Sequence, residues 1–172
     1  MLACKTPSSL KKGSIFYSFE GVSYDDNTSS VEAHEWHVRS IQLKPTLINL
    51  GGTALLNSSR KATFVNLVSK KKGTTWVKGD WAKYIAKDYQ IKFEFNDRLP
   101  EGIYTTQLQA IKYAYKKQHE YIALAKSKLA EAKSKKDIDL WSVNVADYGR
   151  ELVRLKSRLT KITNQNKKAK AA

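Results

Sequence analysis

Apolar residues recur every three or four positions through the last third of the chain, a spacing typical of amphipathic helices. The first run, interrupted only by Gln118, comprises Leu108, Ile111, Tyr115, Ile122, Ala125, Leu129 and Ala132. The second run comprises Trp141, Val145, Tyr148, Leu152, Leu155, Leu159 and Ile162. Asp137 or Asp139, in the polar link between them, is suited to cap the second helix. Two stripes with a short link predict an antiparallel helical hairpin of coiled-coil type over residues 103–163.

Before residue 99 the apolar residues alternate with polar ones, which is typical of β-strands. Strands are predicted at residues 14–19, 31–43, 62–68, 74–78 and 89–95. The second strand alternates regularly up to Val38, and Ile41 then appears on the opposite face, which predicts a bulge or twist near Arg39. The third and fourth strands flank a short link with a glycine, which predicts a β-hairpin with lysines at its tip.

These patterns predict an α+β protein in which a small antiparallel β-barrel or bent sheet precedes the helical hairpin. Four segments are expected: a leader at 1–12, a β-rich barrel-like domain at 13–98, the helical hairpin at 103–163, and a disordered basic tail at 164–172. The tail follows from the loss of the apolar stripe after Ile162. Proline and glycine in residues 96–102 mark the boundary between the two main parts.

The β-rich part opens with Lys11-Lys12-Gly13-Ser14-Ile15-Phe16-Tyr17-Ser18-Phe19-Glu20-Gly21, a lysine-glycine turn before an aromatic strand. This stretch resembles the first strand and turn of SH3-like barrels, including the KOW modules that bind nucleic acid. The resemblance implies a barrel over about residues 10–95 and carries no catalytic residues. A barrel of this type with a basic helical appendage is also similar to accessory proteins of bacteriophages, and the resemblance implies that origin.

The formal net charge is +15, and it adds a functional expectation to the fold. Residues 1–100 contain 15 Lys and Arg against 9 Asp and Glu, whereas residues 101–172 contain 16 against 7. The excess is therefore denser in the helical part. A field of this sign attracts polyanions such as nucleic acid, anionic lipid or an acidic protein. The helices lack the aromatic-rich apolar face of interfacial helices, so we expect no membrane binding.

Composition also indicates the cellular setting. Cys4 is the single cysteine, so no internal disulfide forms, and a reducing compartment is expected. No apolar run approaches the length that spans a bilayer, and the first residues lack the apolar region of a secretory signal. We therefore expect an intracellular protein, cytoplasmic in a bacterial cell and associated with the nucleoid if it binds DNA.

The chain shows no enzyme motif. Gly51-Gly52 lacks the Lys-Ser/Thr that follows a phosphate-binding glycine loop, and Cys4 has no base nearby in sequence. His34 and His37 point to opposite faces of a strand and do not close on one metal ion. We expect neither an enzymatic activity nor a cofactor or metal.

Nucleic-acid binding is the function that these residues favour, with double-stranded DNA preferred over RNA and contacts made mainly to phosphates. Lysines at a hairpin tip reach phosphates, aromatic residues interleaved with lysines stack on bases, and a basic helix extends the surface. Core packing of the tryptophans and solvation of the lysines are the structural alternatives. The predicted contacts are Lys70, Lys71, Lys72, Trp76, Lys78, Lys83, Arg150, Arg154, Lys156, Arg158 and Lys161.

The alternative function is protein docking. A regulator or inhibitor of phage type would place its basic helical hairpin on an acidic host protein. Tyr113, Tyr121 and Leu124 flank the first apolar stripe and widen it beyond what one partner helix covers, so a homodimer also fits the pattern.

Overall fold

In the part of the chain that the structure describes, the protein is α+β, with four strands followed by two helices in the order of the chain. The computed structural model describes residues 5, 7, 10–50, 53–70, 90–94 and 98–171. The strands are β1 (Ile15–Ser23), β2 (Ser29–Leu50), β3 (Thr53–Lys70) and β4 (Gln90–Glu94). The helices are α1 (Gln107–Glu131) and α2 (Lys135–Ala171). The coarse α+β prediction and the helical pair are therefore confirmed.

The strands form one sheet in the order β1-β2-β3-β4, with each strand beside its neighbour in sequence. The β2–β3 and β3–β4 pairs are antiparallel. The register of β2 against β3 shifts between Val38 and Ser40, which confirms the irregularity predicted near Arg39. A second shift between Pro45 and Thr46 lets β2 continue through a proline that has no amide to donate. For this reason β2 and β3 are longer than the sequence predicted.

The predicted pairing of residues 62–68 with 74–78 is wrong at the centre of β3. Residues 64–68 pair with β2 on one edge, as in Val38 opposite Leu67, and with β4 on the other, as in Leu67 opposite Ile91. A strand has only two hydrogen-bonding edges, so none remains at these residues for another strand. Nearness in sequence suggested the hairpin, but the more distant β4 holds that edge.

The predicted SH3-like barrel is not confirmed. Closure requires the first and last strands to pair, and in the described part of the chain β1 and β4 are the two ends of the sheet.

The chain forms two compact units. The sheet unit contains Leu2–Phe16 and His34–Ile103. Its core is a cluster of buried side chains, namely Phe16, Trp36, Val38, Val65, Leu67, Leu99 and Ile103. Leu10, from the predicted leader, packs against this cluster, as do Ile91 and Phe93 from the alternating strand β4. Trp36 and Val38, two residues apart on β2, are both buried.

The helical unit contains Tyr17–Ala33 and Tyr104–Ala172, so the outer part of the β1–β2 hairpin belongs with the helices. The Tyr24 amide donates to the Thr28 carbonyl at 3.0 Å and closes this hairpin. Backbone hydrogen bonds of 2.8 and 3.0 Å join Tyr17 to Tyr104, just before α1. Both predicted stripes face the interior, with Ile111, Leu155 and others buried in the unit.

Both helices begin with a side-chain cap. Thr106 precedes α1, and its hydroxyl accepts from the Gln109 amide at 3.3 Å. Ser134 precedes α2, and its hydroxyl accepts from the Asp137 amide at 3.1 Å and donates to the Asp137 carboxylate at 2.6 Å. Each pair spans three residues, as in a capping box. The cap of α2 is therefore Ser134, in place of the predicted Asp137 or Asp139. Asp137 occupies the third position of the helix and is the hydrogen-bond partner of Ser134.

The predicted disordered tail is helical as far as Ala171. The apolar stripe ends at Ile162, but neither glycine nor proline follows it, and residues 167–171 are lysine and alanine, which favour helix. Loss of the stripe therefore removes packing without breaking the helix. Lys167 and Lys168 of this stretch are exposed on the surface of α2.

Candidate nucleic-acid interface

The charges of α2 are divided between its two halves. The mixed-charge segment, residues 135–151, contains three Lys or Arg and four Asp or Glu. The acid-free segment, residues 152–171, contains seven Lys or Arg and no Asp or Glu. A basic helix end also complements the negative end of the helix dipole. The acid-free segment is therefore the most one-sided concentration of charge on a described element.

The two helices are joined by a buried polar contact in their interface. The Gln118 side chain is 4% exposed and donates to the Glu151 carboxylate at 2.8 Å and to the Tyr148 carbonyl at 3.2 Å. Glu151 is 6% exposed. A buried carboxylate requires a hydrogen-bond donor, and Gln118 supplies it. Gln118, the single polar interruption of the first stripe, thus hydrogen-bonds α1 to α2 within their interface.

Strand β1 packs closely on α2 beside this contact. A Cβ atom added to Gly21 would lie 2.8 Å from the Glu151 Cβ, a distance that side chains do not tolerate without a shift. The Ser23 hydroxyl donates to the Asp147 carbonyl at 3.4 Å one turn earlier on the helix. The β1–β2 hairpin therefore packs on the mixed-charge segment of α2.

Arg150 is committed to contacts within the protein. Its guanidinium forms an ion pair with Asp147 and donates to the Asn27 side chain at 3.4 Å. Asn27 lies in the β1–β2 turn with a positive φ of 61°. These contacts hold Arg150 against the turn, so its predicted contact with nucleic acid competes with an existing intramolecular role.

Arg158 is half-buried over an aromatic ring. The guanidinium carbon lies 6.0 Å from the centre of the Phe19 ring, at the outer limit of a cation–π contact. Phe19 itself is buried. Arg158 therefore covers the Phe19 ring of the β1–β2 hairpin, and its charge lies at the edge of the exposed cations of the acid-free segment.

Arg154, Lys156 and Lys161 are all exposed on the acid-free segment. At about 100° per residue, Arg154 and Lys161 fall on one side of α2, seven residues apart, whereas Lys156 falls on a different side. The structure thus brings two of the predicted contacts into one row and separates the third. Lys167 and Lys168, which were assigned to the predicted disordered tail, are exposed on the same segment.

A shallow groove of about 490 Å³ follows the exposed side of this segment. It is lined by Val153, Lys156, Ser157, Thr160, Lys161 and Asn164. The Thr160 hydroxyl donates to the Lys156 carbonyl at 3.1 Å within the helix. Its oxygen keeps acceptor capacity. The groove therefore combines two cations with short hydrogen-bonding side chains.

The lysines of α1 differ from those of the acid-free segment because several have acids one turn away. Lys116 and Lys117 lie 3.7 and 3.3 Å from Glu120, and Lys128 lies 3.3 Å from Glu131. Hydrogen bonds from Lys128 and then Ser127 lower the pKa of the Glu131 carboxyl. Exposed pairs of this kind contribute little stability, but they reduce the local positive field.

The predicted contacts of the β-rich part are mostly outside the described residues. Lys70 is the last residue of β3 and lies opposite Glu35 in the register with β2. Lys71, Lys72, Trp76, Lys78 and Lys83 fall in the stretch 71–89, which the structure does not describe. Their role stays a prediction.

No metal centre is found among the described residues, where no three His, Cys, Asp or Glu side chains are grouped to hold an ion. The His34 ring stacks on Trp36 with ring centres 5.8 Å apart. The His37 Nε2 atom lies 3.6 Å from the Glu35 carboxylate. The histidines of β2 thus contact their neighbours on the sheet.

No protein family matches the chain. No curated protein and no solved structure shows significant similarity to it.

Proposed function

We propose that the protein binds nucleic acid, with double-stranded DNA favoured over RNA, and that its contacts go mainly to phosphates. The observation that supports the proposal most strongly is the acid-free segment of α2, where seven cations occupy 20 residues without an acidic residue. Twenty helical residues extend for about 30 Å, which is comparable to one turn of the double helix. Phosphate contacts along such a length give affinity with little sequence preference.

Arg154, Lys156 and Lys161 are the principal contacts in this proposal. Arg158 contributes from the edge of the surface, and Arg150 contributes least because Asp147 and Asn27 hold it. The lysines at 70–72 and the residues from 76 to 83 form a second proposed contact region in the β-rich part. The proposed activity is non-enzymatic and requires no cofactor.

The test is fluorescence-anisotropy binding of nuclease-treated protein to duplex DNA, single-stranded DNA and duplex RNA over a salt series. We expect duplex DNA to bind tightest, with log K falling by about 0.9 per phosphate contacted for each decade of salt. Negligible binding to all three ligands near physiological salt would contradict the proposal.

Protein docking is the second candidate, and one observation favours it. Tyr121 and Leu124 on α1 are 44% and 55% exposed, so part of the predicted wide apolar face is uncovered in the chain alone. The proposed occupant is an acidic host protein or a second copy of the chain. Sedimentation velocity of nuclease-treated protein tests whether a second copy of the chain binds, and a monomer at all concentrations would exclude it.

Among the described residues, neither α1 nor α2 contains an apolar stretch of the length that crossing a bilayer requires.

A further inference from the structure

The exposed surface of the acid-free segment has three parallel rows of side chains. The central row is Val153, Ser157, Thr160 and Asn164, with steps of four, three and four residues that keep it on one side of a helix. The first cation row is Arg154, Lys161 and Lys168, and the second is Lys156 and Lys167. Each cation row lies roughly 60–70° from the central row, one on either side.

All three rows are exposed. Val153 is 67% exposed, and the other members of the central row and both cation rows are classed as exposed too. The opposite side of the segment carries the buried Leu155 and Ile162. Packing within the helical unit therefore uses one side of the segment and leaves all three rows facing solvent.

We propose that the acid-free segment lies lengthwise in the major groove of B-form DNA, with the central row facing the base edges and one cation row on each groove wall. This inference rests on the proposed function and specifies its ligand. The major groove is about 12 Å wide, and a helix with its side chains measures about 10–12 Å across. A helix in that position has phosphates on both sides, and cations on both sides of one face complement them.

The chemistry of the central row fits the bottom of the groove. The Ser157 hydroxyl can donate or accept, and the Thr160 hydroxyl, which donates to the Lys156 carbonyl, can still accept. Asn164 carries an amide of the kind that pairs with adenine, and the Val153 methyls suit contact with the thymine methyl. The short side chains of Ser157 and Thr160 let the helix approach closely. One amide and two hydroxyls give only a weak sequence preference, as the proposed function expects.

The same arrangement discriminates among nucleic acids. The major groove of A-form RNA is deep and narrow and does not admit a helix. A single strand supplies only one line of phosphates, so only one cation row would be used. We therefore expect duplex RNA and single-stranded DNA to bind more weakly than duplex DNA.

The test compares two duplex DNAs of the same sequence and the same number of phosphates. In one, the cytosines carry glucosylated 5-hydroxymethyl groups, which fill the major groove and leave the phosphates and minor groove unchanged. We expect the protein to bind the glucosylated duplex at least about tenfold more weakly than the unmodified duplex. Netropsin, which occupies the minor groove, is expected to leave the binding of the unmodified duplex unchanged.

A matched pair of variants tests the orientation of the helix. Asn164 and Asn166 are both exposed and two residues apart, but only Asn164 lies in the central row. We expect Asn164→Ala to weaken binding to the unmodified duplex roughly threefold to tenfold and Asn166→Ala to leave it unchanged. Equal binding of both duplexes, with a steep salt slope retained, would overturn the groove placement and keep the proposed function. No binding to the unmodified duplex would overturn both.

Discussion

The two halves of α2 have the same backbone conformation but use their polar side chains differently. In residues 135–151 the polar groups hold the fold, since Asp137 completes the cap, Asp147 holds Arg150, and Glu151 accepts from Gln118. In residues 152–171 the cations have no acid on their own segment, and most of them face solvent. The number of charged residues alone therefore does not indicate which half is available to a ligand. The contacts that those residues already make within the fold must be considered as well.

The largest expected effect concerns packing in the acid-free segment. Leu155 is 0% exposed, whereas Leu140 in the mixed-charge segment is 52% exposed. We expect Leu155→Ala to lower the free energy of unfolding by about 2–5 kcal/mol, because it removes buried methyl groups and leaves a cavity. Leu140→Ala, the matched control, is expected to change it by less than about 0.5 kcal/mol. Urea denaturation measures both, and equal losses would contradict a packed inner side on this segment.

The next effect concerns the buried polar contact. Gln118→Leu removes the donor that the Glu151 carboxylate uses in the interface. We expect the free energy of unfolding to fall by about 1–3 kcal/mol, because a buried acceptor loses its hydrogen bond. Gln165→Leu, at an exposed position on α2, serves as the control. If Gln118→Leu were as stable as the parent protein, the polar contact would have no structural role.

A smaller effect separates two arginines that differ in their contacts. Arg150 is held by Asp147 and Asn27, and Arg154, one turn later, is exposed. We expect Arg154→Gln to make the salt dependence of duplex DNA binding less steep by about 0.9 and Arg150→Gln to leave it unchanged. Anisotropy titrations over a salt series measure both slopes. Equal changes in the salt slope for the two variants would contradict the difference that we infer between Arg150 and Arg154.

The smallest effect lies in the turn that docks near the mixed-charge segment. The Thr28 hydroxyl and the Thr28 amide donate to the Asp26 carboxylate at 2.6 and 2.9 Å, and these bonds lower the pKa of Asp26. A carboxyl with a lowered pKa in the folded state stabilises the fold above its unfolded pKa, and this stability is lost as pH falls through the lowered value. The stability advantage over Asp26→Asn should therefore be present at neutral pH and disappear in acid. An NMR titration that finds the Asp26 pKa at or above its ordinary value would contradict this.

The sequence predicted those features that depend on local periodicity. Both helical stripes and the irregularity near Arg39 follow from the spacing of apolar residues, and the structure contains them. The helical extension to Ala171 was missed because the end of the stripe was treated as the end of the helix, although no helix-breaking residue follows. The spacing of apolar residues therefore predicts which side of a helix packs better than it predicts where the helix ends.

Features that depend on distant residues were not predictable in the same way. Arg150 and Arg154 each follow an acidic residue by three positions in the sequence, but Arg150 also contacts Asn27 in the β1–β2 turn, whereas the acid before Arg154 accepts from Gln118. Gly21 gives no sign in the sequence that its missing side chain makes room for Glu151. The second neighbour of β3 is β4, which lies beyond the nearer run at 74–78. Each of these contacts joins residues far apart in the chain.

We propose that the acid-free segment of α2 binds duplex DNA through its exposed cations. The most direct measurement is the salt dependence of duplex binding for Arg154→Gln/Lys156→Gln/Lys161→Gln against the control Lys112→Gln/Lys116→Gln/Lys126→Gln on α1. Each triple variant lowers the net charge of +15 by three, and the altered residues are exposed. We predict that the α2 variant binds roughly a hundredfold more weakly at 0.1 M salt, with a slope less steep by about 2.7, and that the α1 variant changes little. Equal losses for the two variants would show that only the net charge matters and would contradict the claim.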